Sequence, residues 1–132
     1  MLRYIGTKIV HAAPAQKADN DGSVLEGYAV QYADGYRSWS TKDVFEEAYK
    51  PCNHMTFGLA IEALHAGHKV ARYGWNGPGL WLELQTPDAN SKMTLPYIYM
   101  SYPADARNTP GARVPWLASQ TDMLARDWTI VN

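Results

Sequence analysis

Thr56 to Gly67 carries the clearest helical pattern in the chain, and it constrains what the rest can build. Thr56 is an N-cap residue, Phe57, Ala60, Ile61 and Leu64 repeat at i, i+3, i+4 and i+7, and Gly67 falls just past the helix end. Beyond it the pattern changes to short strands. His68 to Tyr73 reads as a strand. Leu80 to Gln85 alternates, with Leu80, Leu82 and Leu84 on one face and Trp81, Glu83 and Gln85 on the other. Tyr97 to Tyr102 reads as a third strand and Val114 to Leu117 as a short one. Ser119 or Thr121 caps a helical turn through Ala125, and Trp128 to Val131 closes as a strand. A helix followed by hairpin-linked strands predicts an α+β fold: a small antiparallel sheet with short helices.

The chain divides near Lys50-Pro51-Cys52-Asn53, where proline stops a preceding helix. Before that point, Tyr4 to Ala12 is expected to be a strand because of β-branched Ile5, Thr7, Ile9 and Val10, and Pro14 to Ser23 a polar loop. Gly27 to Ser40 reads as a β-hairpin, with Tyr28, Val30 and Tyr32 alternating and Asp34-Gly35 at the turn. Ser40 or Thr41 then caps a helix over Lys42 to Tyr49. Residues 1–53 therefore read as a ββ(β)α extension, marginal alone and expected to dock on an α+β domain over residues 54–132.

Composition narrows the function classes. With 46% hydrophobic and 19% charged residues, the 132-residue chain is globular, not disordered. A formal charge of -1 argues against broad binding to nucleic acid polymers or to an anionic membrane. No apolar run approaches a membrane span, and no signal-peptide core opens the chain, so a cytoplasmic protein is expected. The single Cys52 excludes an intrachain disulfide and a cysteine-cluster zinc site. Five Trp and nine Tyr against two Phe is a skewed aromatic set, suited to pockets and interfaces as well as to cores.

Most enzyme templates fail. There is no G-x-S-x-G and no H-E-x-x-H, and Cys52 beside Pro51 lacks a helix-start context. His65 and His68 are three apart, but the helix should end at Gly67, so a solvated helix end explains them better than a metal site. Asp122 and Asp127 form a carboxylate pair whose spacing across a helix end fixes no geometry.

Two stretches remain. Gly74-Trp75-Asn76-Gly77-Pro78-Gly79 lacks a following Lys-Ser/Thr and runs into a strand, so it is neither a Walker loop nor a dinucleotide fingerprint. By itself it reads as a hairpin loop pinned by Trp75. Arg72 before it, with Trp75 and Asn76 inside it, supplies a cation, a plane and an amide, the set that nucleotide binding uses. In Ser119-Gln120-Thr121-Asp122, capping explains Ser119 or Thr121 more readily than it explains Gln120 and Asp122.

Three blocks carry a resemblance: Met55-Thr56-Phe57-Gly58, Ala71-Arg72-Tyr73-Gly74-Trp75-Asn76-Gly77, and Trp116 to Ala125 with Asp127-Trp128 and Ile130-Val131. In this order and spacing they resemble the second Thoeris anti-defence family of phage and prophage domains, over Met55 to Asn132. The opening Tyr4-Ile5-Gly6-Thr7-Lys8, with Ser38-Trp39-Ser40 and Lys42-Asp43-Val44-Phe45, is similar to an extension that accompanies this domain in some phage proteins.

The resemblance implies a sponge, not an enzyme. Such a protein binds the cyclic ADP-ribose isomer made in Thoeris immunity and holds it uncleaved, so the downstream effector stays silent. It also implies a cyclic oligonucleotide as a further ligand, homo-oligomers (typically tetramers) with pockets at subunit interfaces, no cofactor, and action in the bacterial host cytoplasm. Placed on the matched blocks, the expected ligand-binding residues are Trp75 for stacking, with Phe57 as a second wall that also fits the core stripe. Arg72 is expected on phosphate, and Asn76, Gln120 and Asp122 on ribose hydroxyls and adenine edges, beside Ser119 and Thr121. Arg107 and Arg113, at the loop before the short strand, are expected to reach a neighbouring subunit's ligand. Two rivals stand against the sponge: an enzyme degrading the signal through Asp122 or Asp127, and a module that binds protein through its aromatics.

Overall fold

Two antiparallel sheets and three short helices form an α+β fold in the computed structural model, which describes residues 1–75 and 79–132. The described residues divide into two units, Met1–Lys50 and Pro51–Asn132.

In the first unit, β1 (His11–Ala18), β2 (Val24–Gln31) and β3 (Arg37–Thr41) form a sheet in that order, followed by α1 (Lys42–Ala48). The hairpin forms across Tyr32 to Tyr36, and β2 starts earlier than expected. Tyr28 stacks on Phe45 at 4.3 Å, Phe45 stacks on Tyr49 at 4.9 Å, and Val30 is buried on the same face of β2 as Tyr28. Trp39 pairs with Ala29 on the opposite face, and its indole N–H donates to the carbonyl of Ala15. Thr41 is the α1 cap position, without a side-chain cap bond.

Two expectations are corrected here. No strand covers Tyr4 to Val10; the first strand begins at His11, and Pro14 to Ala18 lie in it instead of in a loop. The loop is only the turn from Asp19 to Ser23. β-branched residues suit a strand only where a partner exists, and the partner of β2 is the alanine-rich run, in register from His11↔Gln31 to Ala18↔Val24. Pro14 is tolerated because β1 is an edge strand, where alternate N–H groups point away from the sheet.

The second unit runs α2 (Phe57–His65), β4 (Lys69–Arg72), β5 (Trp81–Gln85), β6 (Tyr97–Ser101), β7 (Arg113–Pro115), α3 (Gln120–Leu124) and β8 (Trp128–Val131). Its sheet has the order β7-β6-β5-β4-β8. The short strand thus sits one to two residues before its expected position at Val114 to Leu117. Thr56 caps α2 by accepting from the Leu59 N–H. At the other end, Gly67 has φ +92°, its N–H donates to Leu64, and that of His68 donates to Ala63. This closure satisfies carbonyls the helix leaves free and needs the left-handed conformation that glycine adopts easily.

α2 buries Ala60, Ala63 and Leu64 against Val70 of β4, Leu82 of β5 and Trp128 of β8. Trp128 is fully buried. Met55 completes this core by exchanging backbone hydrogen bonds with Trp128, which ties the start of the unit to its last strand. No helix among the described residues is long and apolar enough to cross a membrane.

Candidate functional site

Pairing of β4 with β8 puts Arg72 directly across from Trp128, so the residue before Trp128, Asp127, arrives beside the Arg72 side chain. The Arg72 Nε donates to Asp127 Oδ1 at 2.8 Å, and Nη1 donates to Asp122 Oδ1 at 2.7 Å. Asp127 Oδ2 accepts the Gly74 N–H at 2.7 Å. Asp122 Oδ1 also accepts the Trp75 indole N–H at 3.1 Å. Gly74, Asp127, Arg72, Asp122 and Trp75 thereby form a chain of hydrogen bonds that the Gly74–Trp75 peptide link closes into a ring. A β-carbon at position 74 would sit 2.9 Å from both Asp127 Oδ2 and Arg72 Nη2, so only glycine fits without displacing this ring.

Asp122 has a second duty. Ser119 is the cap of α3, its hydroxyl accepts from the Asp122 N–H, and Asp122 Oδ2 accepts in return from the Ser119 N–H. This capping box settles the choice between Ser119 and Thr121, and it gives Asp122 a capping role that residue type alone does not single out.

Four rings gather beside this network. Trp128 is the hub, with ring centres of Phe57, Trp75 and Trp116 at 5.4, 5.5 and 6.0 Å. Trp116 lies 6.2 Å from Phe57 and 6.3 Å from Trp75. The Trp128 indole N–H donates to the Asp122 carbonyl at 2.9 Å, joining rings and charges. Tilted and edge-on pairs of this kind contribute about 0.5–1.5 kcal/mol each beyond their buried area. Phe57, Trp75 and Trp116 are half-buried, so the cluster packs inward and still offers aromatic surface.

The charges are internally balanced toward negative: one guanidinium faces two carboxylates. The hydrogen bond from Arg72 holds the Asp127 pKa below its ordinary value, against an opposing effect of burial. Burial pushes Asp122 up, yet the bonds from Arg72, Trp75 and Ser119 together outweigh it and bring the net value down. Both acids are therefore ionised, with their acceptor sites engaged. Arg72 is raised, first by Asp127.

Of the expected site residues, Trp75, Arg72, Asp122 and Phe57 belong to this one assembly. Ser119 caps α3 at its border, and Gln120 and Thr121 are exposed on the first turn of that helix. Asn76 lies outside the described residues. Arg113 belongs elsewhere: it is exposed at the start of β7, 6.0 Å from the Tyr99 ring, on a recess of about 250 Å³ with Gln85, Tyr97 and Pro115. Arg107 is exposed in the preceding loop. Sequence reasoning placed Trp116, Asp127 and Trp128 in a matched block without giving them a part in the binding site, and named Asp127 otherwise as an acid in a rival mechanism. Position 127 beside a closing strand was the available signal, but its use depends on the β4–β8 register. No group of three metal-ligating side chains occurs among the described residues.

The second unit is thus a small α+β domain whose sheet carries an aromatic cluster bordered by a clamped Arg-Asp network. A family model described as "Tad2-like: Thoeris anti-defense 2-like domain" matches residues 55–131, more than half of the chain. This chain belongs to that family. It is also similar to a Bacillus phage SP01 protein named Thoeris anti-defense 2, with 38% identity over 85 residues, covering 59% of this chain and 96% of the relative. The family match lies within the second unit.

Proposed function

We propose that this protein is a phage anti-defence sponge: it binds a cyclic ADP-ribose isomer used as a Thoeris immune signal and holds it without cleavage. Family membership supports the anti-defence role. The ligand and its retention uncleaved are what the family resemblance implies, and one observation within the matched residues supports nucleotide binding there: the half-buried rings of Phe57, Trp75 and Trp116 around a buried Trp128. Stacking of an adenine on such a ring contributes about 1–3 kcal/mol. Gln120 and Thr121 stand on an adjoining helix turn with hydroxyl and amide groups that suit ribose and adenine edges. Asn76 follows Trp75 in the chain and serves the same role.

The two acids favour a sponge over a hydrolase. A general acid or base works best with a pKa near the working pH. Asp122 and Asp127 are instead driven down, and each is held by several donors. Arg72 is likewise engaged, which makes it a support for the site. The anionic pyrophosphate then needs other cations, and Arg107 and Arg113 of a neighbouring copy in a homo-oligomer, such as a tetramer, would supply them. A cyclic oligonucleotide is the further ligand this reading allows.

Calorimetric titration with the cyclic ADP-ribose isomer tests the assignment. Wild type is expected to bind, Trp75→Ala and Asp122→Ala to lose binding, and all three to show the same oligomer by light scattering. Retained binding in both variants removes this site.

A further inference from the structure

The turn that carries Trp75 is held from outside its own segment. Tyr73 donates its N–H to the Asp127 carbonyl at 3.3 Å, and Gly74 donates to the Asp127 carboxylate at 2.7 Å. The same carboxylate takes the Arg72 Nε, and Arg72 passes the connection to Asp122, the acceptor of the Trp75 indole. Backbone and ring of one residue pair, Gly74-Trp75, are thus gripped at opposite ends of a single chain of charge-assisted bonds. Such bonds are short and roughly twice as strong as neutral ones. The indole N–H groups of Trp75 and Trp128 both donate to Asp122, not to Asp127.

We infer that Asp127 is a positioning residue for ligand capture: it sets the Gly74-Trp75 turn and, through Arg72 and Asp122, the orientation of the Trp75 ring. The inference rests on the proposed capture of a cyclic nucleotide at that ring. It assigns Arg72 the role of a strut between two carboxylates, and it makes the absence of a side chain at Gly74 part of the binding design. A ring fixed before the ligand arrives loses less freedom on binding, which is the source of its contribution.

Asp127→Asn separates charge from shape. The amide oxygen still accepts from Gly74, while the ionic hold on Arg72 is lost. A ligand-free readout is the Trp75 indole N–H in a ¹⁵N–¹H spectrum, assigned by its loss in Trp75→Phe. In Asp127→Asn this resonance is expected to shift and exchange faster, while those of Trp39 and Trp81 stay in place. Affinity for the cyclic ADP-ribose isomer, measured on the full chain, should fall about tenfold, as loss of one charge-assisted bond implies. In a Trp75→Phe background, where the link to Asp122 is already cut, the same change should cost under about twofold.

An unmoved indole resonance overturns the inference, and so does an equal loss of affinity in both backgrounds, which would mean that Asp127 acts through general stability. If wild type binds no cyclic ADP-ribose isomer, the capture reading falls, and the indole resonance alone decides whether Asp127 positions Trp75.

Discussion

Trp75 and Asp122 are 47 residues apart in the chain, and the indole N–H of one donates to the carboxylate of the other at 3.1 Å. That bond joins a β4–β5 turn to the cap of α3, and Asp122 carries Arg72 and Ser119 as well. Its removal should therefore be felt in both places. Asp122→Ala is expected to destabilise the second unit by about 2–3 kcal/mol, from a lost cap and an uncompensated charge-assisted bond. Urea unfolding followed by tryptophan fluorescence measures it, and a change under about 0.5 kcal/mol, the size of an ordinary surface substitution, would show that the network is ornamental.

Acidification should weaken the fold in a defined direction. Asp122 and Asp127 have folded pKa values below the ordinary 3.8. A depressed folded pKa gives stability that is fully present above the unfolded value and lost as pH falls through the folded one. Stability should thus stay level, as far as these two groups decide it, from neutral pH down to about pH 5, and decline below that. Asp127→Asn should make the acid limb shallower. Denaturation midpoints at a series of pH values report this, and an unchanged limb in the variant would contradict the ion pairing.

The aromatic hub gives a sharper stability test. Trp128 is fully buried and meets Phe57, Trp75 and Trp116, so Trp128→Ala should cost about 3–5 kcal/mol. Thermal unfolding of the second unit should move down accordingly. Trp39→Ala affects the other sheet and should leave that transition in place.

Local helix signals predict smaller effects. Thr56→Ala removes the acceptor of the Leu59 N–H and should cost about 1 kcal/mol. Gly67→Ala forces a side chain into φ +92° and should cost about 1 kcal/mol. Equal stability of either variant and wild type would place the helix ends elsewhere in solution.

What could be read from the sequence follows how far apart the partners lie in the chain. The α2 boundaries were legible because Thr56, the apolar stripe and Gly67 act within one helix. β1 was not, since Ala13, Pro14 and Ala15 join a strand only because β2 pairs with them. Trp75, Arg72 and Asp122 could be singled out by residue type. Their hydrogen bonds to one another, and the arrival of Asp127, depend on the β4–β8 register and on contacts 47 to 55 residues apart. That is why Arg72 was expected on phosphate and is found between two carboxylates.

Whether the chain stores its ligand or consumes it is decided most directly by capture and release. Protein is mixed with the cyclic ADP-ribose isomer, unbound material is filtered away, the protein is heat-denatured, and the released nucleotide is identified by mass spectrometry. Depletion before heating and intact isomer after it is the predicted result. A hydrolysed product, or no depletion at all, would contradict the account.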